Sequence, residues 1–138
     1  MISASLRHLG IYEQHIRSTL MSVSQLATSR LHKLVQMLCA RRNVNLPVEA
    51  LGKCLYEPIE NGVELYHAHF LLDSQHSEYT SPIAKILFDA KTQLWCFYVP
   101  IYREEELVWV PYEKLPSSET LEVLLAELES DPQACFWD

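Results

Sequence analysis

Two runs of alternating apolar residues, Lys53 to Ile59 and Val63 to Leu71, stand either side of Glu60-Asn61-Gly62. Asn-Gly between such runs is the strongest short-range hairpin signal, because both residue types accept the positive φ that a tight turn between twisted strands requires. The period of two then continues along the chain. Pro82 to Asp89 and Gln93 to Ile101 read as a second hairpin through Ala90-Lys91-Thr92, after a loop that contains Asp73 to Ser81. Arg103-Glu104-Glu105 turns the chain into Glu106 to Tyr112. Five short strands joined in succession predict an antiparallel meander.

Ahead of Pro47 the period is that of a helix. Val23, Ala27, Leu31, Leu34, Val35 and Leu38 recur at three- and four-residue steps between Ser24 and about Arg41, an apolar stripe. Ser22 or Ser24 can cap its start, Arg41 and Arg42 suit its negative end, and Asn43 with Pro47 closes it. Residues 1–20 show a partial helical pattern at Leu6, Leu9, Ile16 and Leu20, interrupted by Gly10. They are expected to be a loosely ordered extension ahead of a second candidate start at Met21. Helix returns at Ser117, with Ser117 or Ser118 as N-cap and Leu121, Leu124, Leu125 and Leu128 on one face. Asp131-Pro132 stops it, and Cys135-Phe136-Trp137 is too apolar a tail to stay in water. The expected fold is α+β: an N-terminal helix, a five-stranded antiparallel meander sheet and a C-terminal helix, with residues 21–138 as a single domain.

Composition narrows the function classes. The 138 residues are 49% hydrophobic and 21% charged, ample for one core without staples. A net charge of −7 argues against a general binder of phosphate backbones. That charge is unevenly spread: Met1 to Tyr56 holds seven basic and two acidic residues, whereas Glu57 to Asp138 holds four basic and sixteen acidic ones. The two halves are expected to face each other within one fold, or to face a second copy. No stretch approaches the roughly 18 apolar residues of a membrane span, and the start does not read as a signal peptide. Cys39, Cys54, Cys96 and Cys135 follow no disulfide or zinc spacing. They are expected to be buried thiols of a reducing compartment, the cytoplasm.

Several segments form a recognisable ordered set: Gly62-Val63-Glu64-Leu65, Pro82-Ile83-Ala84-Lys85-Ile86, Leu94-Trp95-Cys96-Phe97-Tyr98 and Trp109-Val110-Pro111-Tyr112. Leu121-Glu122-Val123-Leu124-Leu125-Ala126-Glu127, then Asp131-Pro132 and Phe136-Trp137, complete it. The set, from about Met21 to Trp137, resembles the bacterial family catalogued as domain of unknown function 3024. The resemblance implies a small bacterial protein and carries over no catalytic residue. Members of that family show a Glu-Ile-Arg-Pro-like run near the end of the second strand, where this chain has Tyr66-His67-Ala68-His69-Phe70.

Two sets of residues could carry function. His67 and His69 alternate on one strand, so both imidazoles project to one side and could ligate a divalent transition metal. His76, Glu64 or Glu78 would supply a third ligand. Tyr98, Tyr102, Trp109 and Tyr112, with Phe136 and Trp137 nearby, form an aromatic-rich region suited to a protein interface or a small apolar ligand. The acidic surroundings disfavour stacked nucleic acid, which wants interleaved Arg and Lys. No cysteine has a neighbour that favours thiolate, and Glu104-Glu105-Glu106 reads as a solvated turn. The leading reading is a non-enzymatic binding or interaction module, self-associating as a homodimer or binding another protein. The alternative is a metal-dependent enzyme built on His67 and His69.

Overall fold

Five strands run in chain order across one antiparallel sheet: β1 (Lys53–Ile59), β2 (Gly62–Phe70), β3 (Ser77–Asp89), β4 (Leu94–Arg103) and β5 (Glu106–Pro111). A two-residue strand, β6 (Ser117–Ser118), adds to β4 beside Trp95 and Cys96. The helices are α1 (Ala4–Val44) and α2 (Leu121–Ser130). The computed structural model describes residues 4–44, 53–70 and 77–137, with side chains for 24–44, 53–68 and 80–137. The architecture is the expected α+β one: in chain order, an N-terminal helix, a meander sheet and a C-terminal helix.

The Asn-Gly pair serves the first hairpin in two different ways. Asn61 takes the left-handed conformation at φ 61°, which Asn tolerates better than most residues. Gly62 is needed for proximity: a Cβ there would stand 2.0 Å from the carbonyl oxygen of Ile86 on β3. Alternation then sorts the sheet into two faces. Cys54, Val63, Leu65, Ala84, Ile86, Trp95 and Phe97 turn inward and are buried, together with Leu31, Val35 and Leu38 of α1 and Leu121, Leu124, Leu125 and Leu128 of α2. Both helices therefore cover the same face.

The ends of the elements depart from expectation, each for a local reason. Helix α1 starts at Ala4, well ahead of the Ser22 or Ser24 expected to cap it. Once a helix is nucleated, each further residue adds a hydrogen bond for little cost, and Gly10 removes only about 1 kcal/mol. Ser22 and Ser24 accordingly lie inside the helix. Strand β3 begins at Ser77, inside the stretch expected as loop. Ser117 and Ser118 do not cap α2; they continue the ladder along β4 after β5 has ended at Pro111, and Thr120 stands at the N-cap instead. The Phe97 N–H donates to Pro116 O at 2.9 Å and fixes that continuation.

Three kinds of contact lock the helices in place. Asn43 mimics a strand partner for β1: Cys54 N–H donates to its Oδ1 at 2.8 Å and its Nδ2 donates to Cys54 O at 3.0 Å. Cys39 and Cys54, expected as separate thiols, are joined as a disulfide between α1 and β1 with Cα atoms 5.1 Å apart. Their separation of 15 residues hides this, because one stands on a helix and the other on a strand and only the packing of the two elements brings them together. Across the helix pair, Arg30 meets Glu122 and Arg41 meets Glu129, the latter at 2.8 Å. Basic and acidic halves of the sequence thus touch within one fold.

Candidate functional site

The side of the sheet away from the helices holds a group of interacting polar and aromatic side chains outside the core. Alternation sends Glu64 and Tyr66 of β2, Lys85 of β3, Cys96 and Tyr98 of β4 and Trp109 of β5 to that side. Register then aligns Glu57, Glu64, Lys85 and Tyr98 in one row across four strands. Lys85 Nζ lies 3.4 Å from Glu64 Oε1 and 4.8 Å from the centroid of the Trp109 ring. The Tyr66 hydroxyl donates to Glu64 Oε2. No described element packs on this face, yet the Lys85 and Glu64 side chains are only 20% and 19% exposed. Their aromatic neighbours shield them. Leu55, Tyr102 and Leu107 stand exposed around the group.

The electrostatics favour contact over chemistry. Burial, reinforced by the bond to Glu64, pushes the Tyr66 phenol well above its ordinary value, so it stays protonated at neutral pH. Burial likewise raises the Cys96 thiol, with Asp89 adding to the effect, and the Tyr98 phenol beside it. None of the three is poised as a base or nucleophile at neutral pH. What remains is a cation held over an indole face and buttressed by a carboxylate, with apolar surface around it.

The four expected interface aromatics divide between the two faces. Tyr98, Tyr102 and Trp109 lie on the outer side. Tyr112 does not join them: it is 5% exposed, packs on Phe97 and Phe136 at ring separations of 5.1 and 5.2 Å, and donates its hydroxyl to Glu127 Oε2 at 2.7 Å. It follows β5, where Tyr112 N–H bonds Phe97 O and the chain bends over the core.

The histidines are placed differently. His67 sits opposite Cys54 on the helix-covered face, and its ring lies 5.4 Å from that of Trp137. Glu64 projects to the other face of β2, so it cannot complete a site with His67. The side chains of His69 and Glu78, and all of His76, lie outside the described residues. Among the described residues no three of His, Cys, Asp or Glu form a group that could hold a metal ion.

Lys85 and Glu64 as a pair were not singled out in the sequence. The signal exists: Glu64↔Lys85 follows once the two hairpins are placed side by side in register. Trp109 over Lys85 does not follow that way, because the two lie on strands separated by β4.

Residues 23–138 match the family described as Domain of unknown function (DUF3024). No curated protein and no solved structure matches the chain. No described helix is long and apolar enough to cross a membrane.

Proposed function

The chain belongs to the family described as Domain of unknown function (DUF3024), and we propose that this domain is a non-enzymatic binding module whose outer sheet face docks a second copy of itself. The observation that carries this reading is Lys85, held between Glu64 and the Trp109 ring on a face that no described element covers. Ordering a lysine costs side-chain entropy that an isolated exposed pair rarely recovers. A partner that desolvates the group strengthens both its ion pair and its cation–π contact.

A second copy suits the chemistry of this face. It carries Glu57 and Glu64 beside Lys85, so a twofold arrangement can set acid against base in both directions. Exposed Leu55, Tyr102 and Leu107 supply apolar area around the charges. Native mass spectrometry of untagged protein, prepared without chelator, tests the reading. The expected result is a dimer carrying no additional mass, which Lys85→Glu converts to monomer with unchanged circular dichroism. A wild-type monomer, or a dimer indifferent to Lys85→Glu, overturns it. A monomer with one bound metal ion would favour the histidine strand instead.

A further inference from the structure

The ladder between β3 and β4 stops early. It joins Lys85–Asp89 to Leu94–Tyr98, after which β3 runs back toward Ser77 paired with β2 and β4 runs on to Arg103 paired with β5. Phe97 N–H and C=O both point toward the β5 and β6 side. By alternation the backbone of Pro100 therefore faces β3, where proline has no N–H to give. On β3, a bulge at Ile83 displaces the register so that Pro82 presents its own missing donor toward β4. Two prolines thus meet across the seam, each offering a carbonyl and neither offering a proton. A sheet cannot zip under those conditions, and the strands part.

A cleft of about 430 Å³ opens at this parting, walled by Pro82, Ile83, Val99, Pro100, Ile101 and Val110. That volume falls within the range of small-molecule sites. Cys135 of the C-terminal segment closes one side, and Glu113 and Lys114 stand at the rim. The β4–β5 turn beyond it carries Glu104, Glu105 and Glu106.

We propose that this seam is a binding site, separate from the outer-face group, for a small apolar molecule that brings hydrogen-bond donors and no negative charge. The apolar walls supply the desolvation. The carbonyls of Pro82 and Pro100 accept from the ligand's N–H or O–H. Glu113 at the rim and the three glutamates of the β4–β5 turn outnumber Arg103 and Lys114, a local excess of negative charge that disfavours an anion.

The test uses the untagged full chain with N-phenyl-1-naphthylamine, an apolar ring pair with one N–H. The same body bearing a sulfonate, 1-anilinonaphthalene-8-sulfonate, serves as the anionic comparison. The amine should bind at a single site with a fluorescence rise, and the sulfonate about tenfold more weakly or less. Ile101→Trp, which fills the cleft, should lower affinity for the amine by about tenfold with the circular dichroism spectrum preserved. The amine should also slow N-ethylmaleimide alkylation of Cys135, which is exposed, while leaving Cys96 on the outer face unaffected. Should Ile101→Trp unfold the chain, this cysteine footprint on wild-type protein decides alone. Absence of binding, equal affinity for the sulfonate, survival of binding in a folded Ile101→Trp variant, or an unprotected Cys135 each overturns the proposal.

Discussion

Glu104 and Glu105 turn the chain from β4 into β5 with φ of 52° and 69°. Both central residues of this two-residue loop are left-handed, a geometry that favours Asn and Gly and costs other residues about 1–2 kcal/mol each. Neither glutamate is repaid by a hydrogen bond among the described contacts. Glu104→Asn with Glu105→Gly should therefore stabilise the domain by about 1–2 kcal/mol, read as a higher midpoint in thermal denaturation followed by circular dichroism. Gly62→Ala should act in the opposite sense, by about 1–3 kcal/mol, because the added methyl collides with the Ile86 carbonyl. The hairpin at Asn61 is legible in the sequence because Asn-Gly is a rare local signal. The glutamate hairpin is legible only as a turn, since its residue types point to solvent and say nothing of positive φ.

Asp131 organises the end of the chain as a small element of its own. It ends α2 in the left-handed conformation at φ 46°. Its carboxylate then accepts from Cys135 N–H at 2.8 Å, Phe136 N–H at 3.2 Å and Trp137 N–H at 3.0 Å. This loop seats Phe136 against Phe97, 5.4 Å apart and stacked, and Trp137 under the Arg42 guanidinium at 3.7 Å. Trp137 Nε1 donates to Leu128 O at 2.7 Å. Asp131→Ala should cost about 2 kcal/mol, the scale of hydrogen bonds to a charged group, and intrinsic tryptophan emission should shift red as Trp137 loosens. The Cys39–Cys54 link lies close by, since Cys54 pairs with His67 and the His67 ring packs on Trp137. Reducing it, or replacing Cys54 by Ala, should cost about 3 kcal/mol for a loop of this length, seen as a lower urea midpoint than that of oxidised protein. The apolar tail announces that it must dock; the carboxylate clasp that docks it leaves no trace in hydrophobic pattern.

At the scale of the molecule, stability should fall at both ends of the pH range for separate reasons. Burial, then the carboxylate partners Glu64 and Glu127, raise the phenols of Tyr66 and Tyr112 above their ordinary value. A proton held more tightly in the folded chain stabilises it fully below pH about 10, and that contribution is lost as the pH climbs further. In acid the reverse holds. Hydrogen bonding to Arg30 depresses the Glu122 carboxyl, and the Lys91 backbone N–H does the same for Asp89. Their small contribution is present above the ordinary carboxylate range and fades as the pH falls through the folded values. Denaturant midpoints from pH 8 to 11.5 should drop less steeply in Tyr66→Phe/Tyr112→Phe than in wild type. The order of strands and helices is readable in the sequence because periods of two and 3.6 are local. Which side of the sheet the helices cover is not, since β3 and β4 are apolar on both faces, and that choice is what divides Tyr112 from Tyr98 and Trp109.

The prolines that part β3 from β4 belong to a wider arrangement. Pro58 lies in β1, Pro82 in β3, Pro100 in β4 and Pro111 in β5, leaving β2 as the long strand without one. Strand β2 is flanked on both sides, and β1 and β5 form the outer edges of the five-strand order. Fibril growth requires uninterrupted, identical backbone ladders from chain to chain, and a proline breaks each ladder it enters. Four of the five long strands therefore carry a built-in break against stacking on copies of themselves, and the one that lacks it is paired along both sides within the folded sheet.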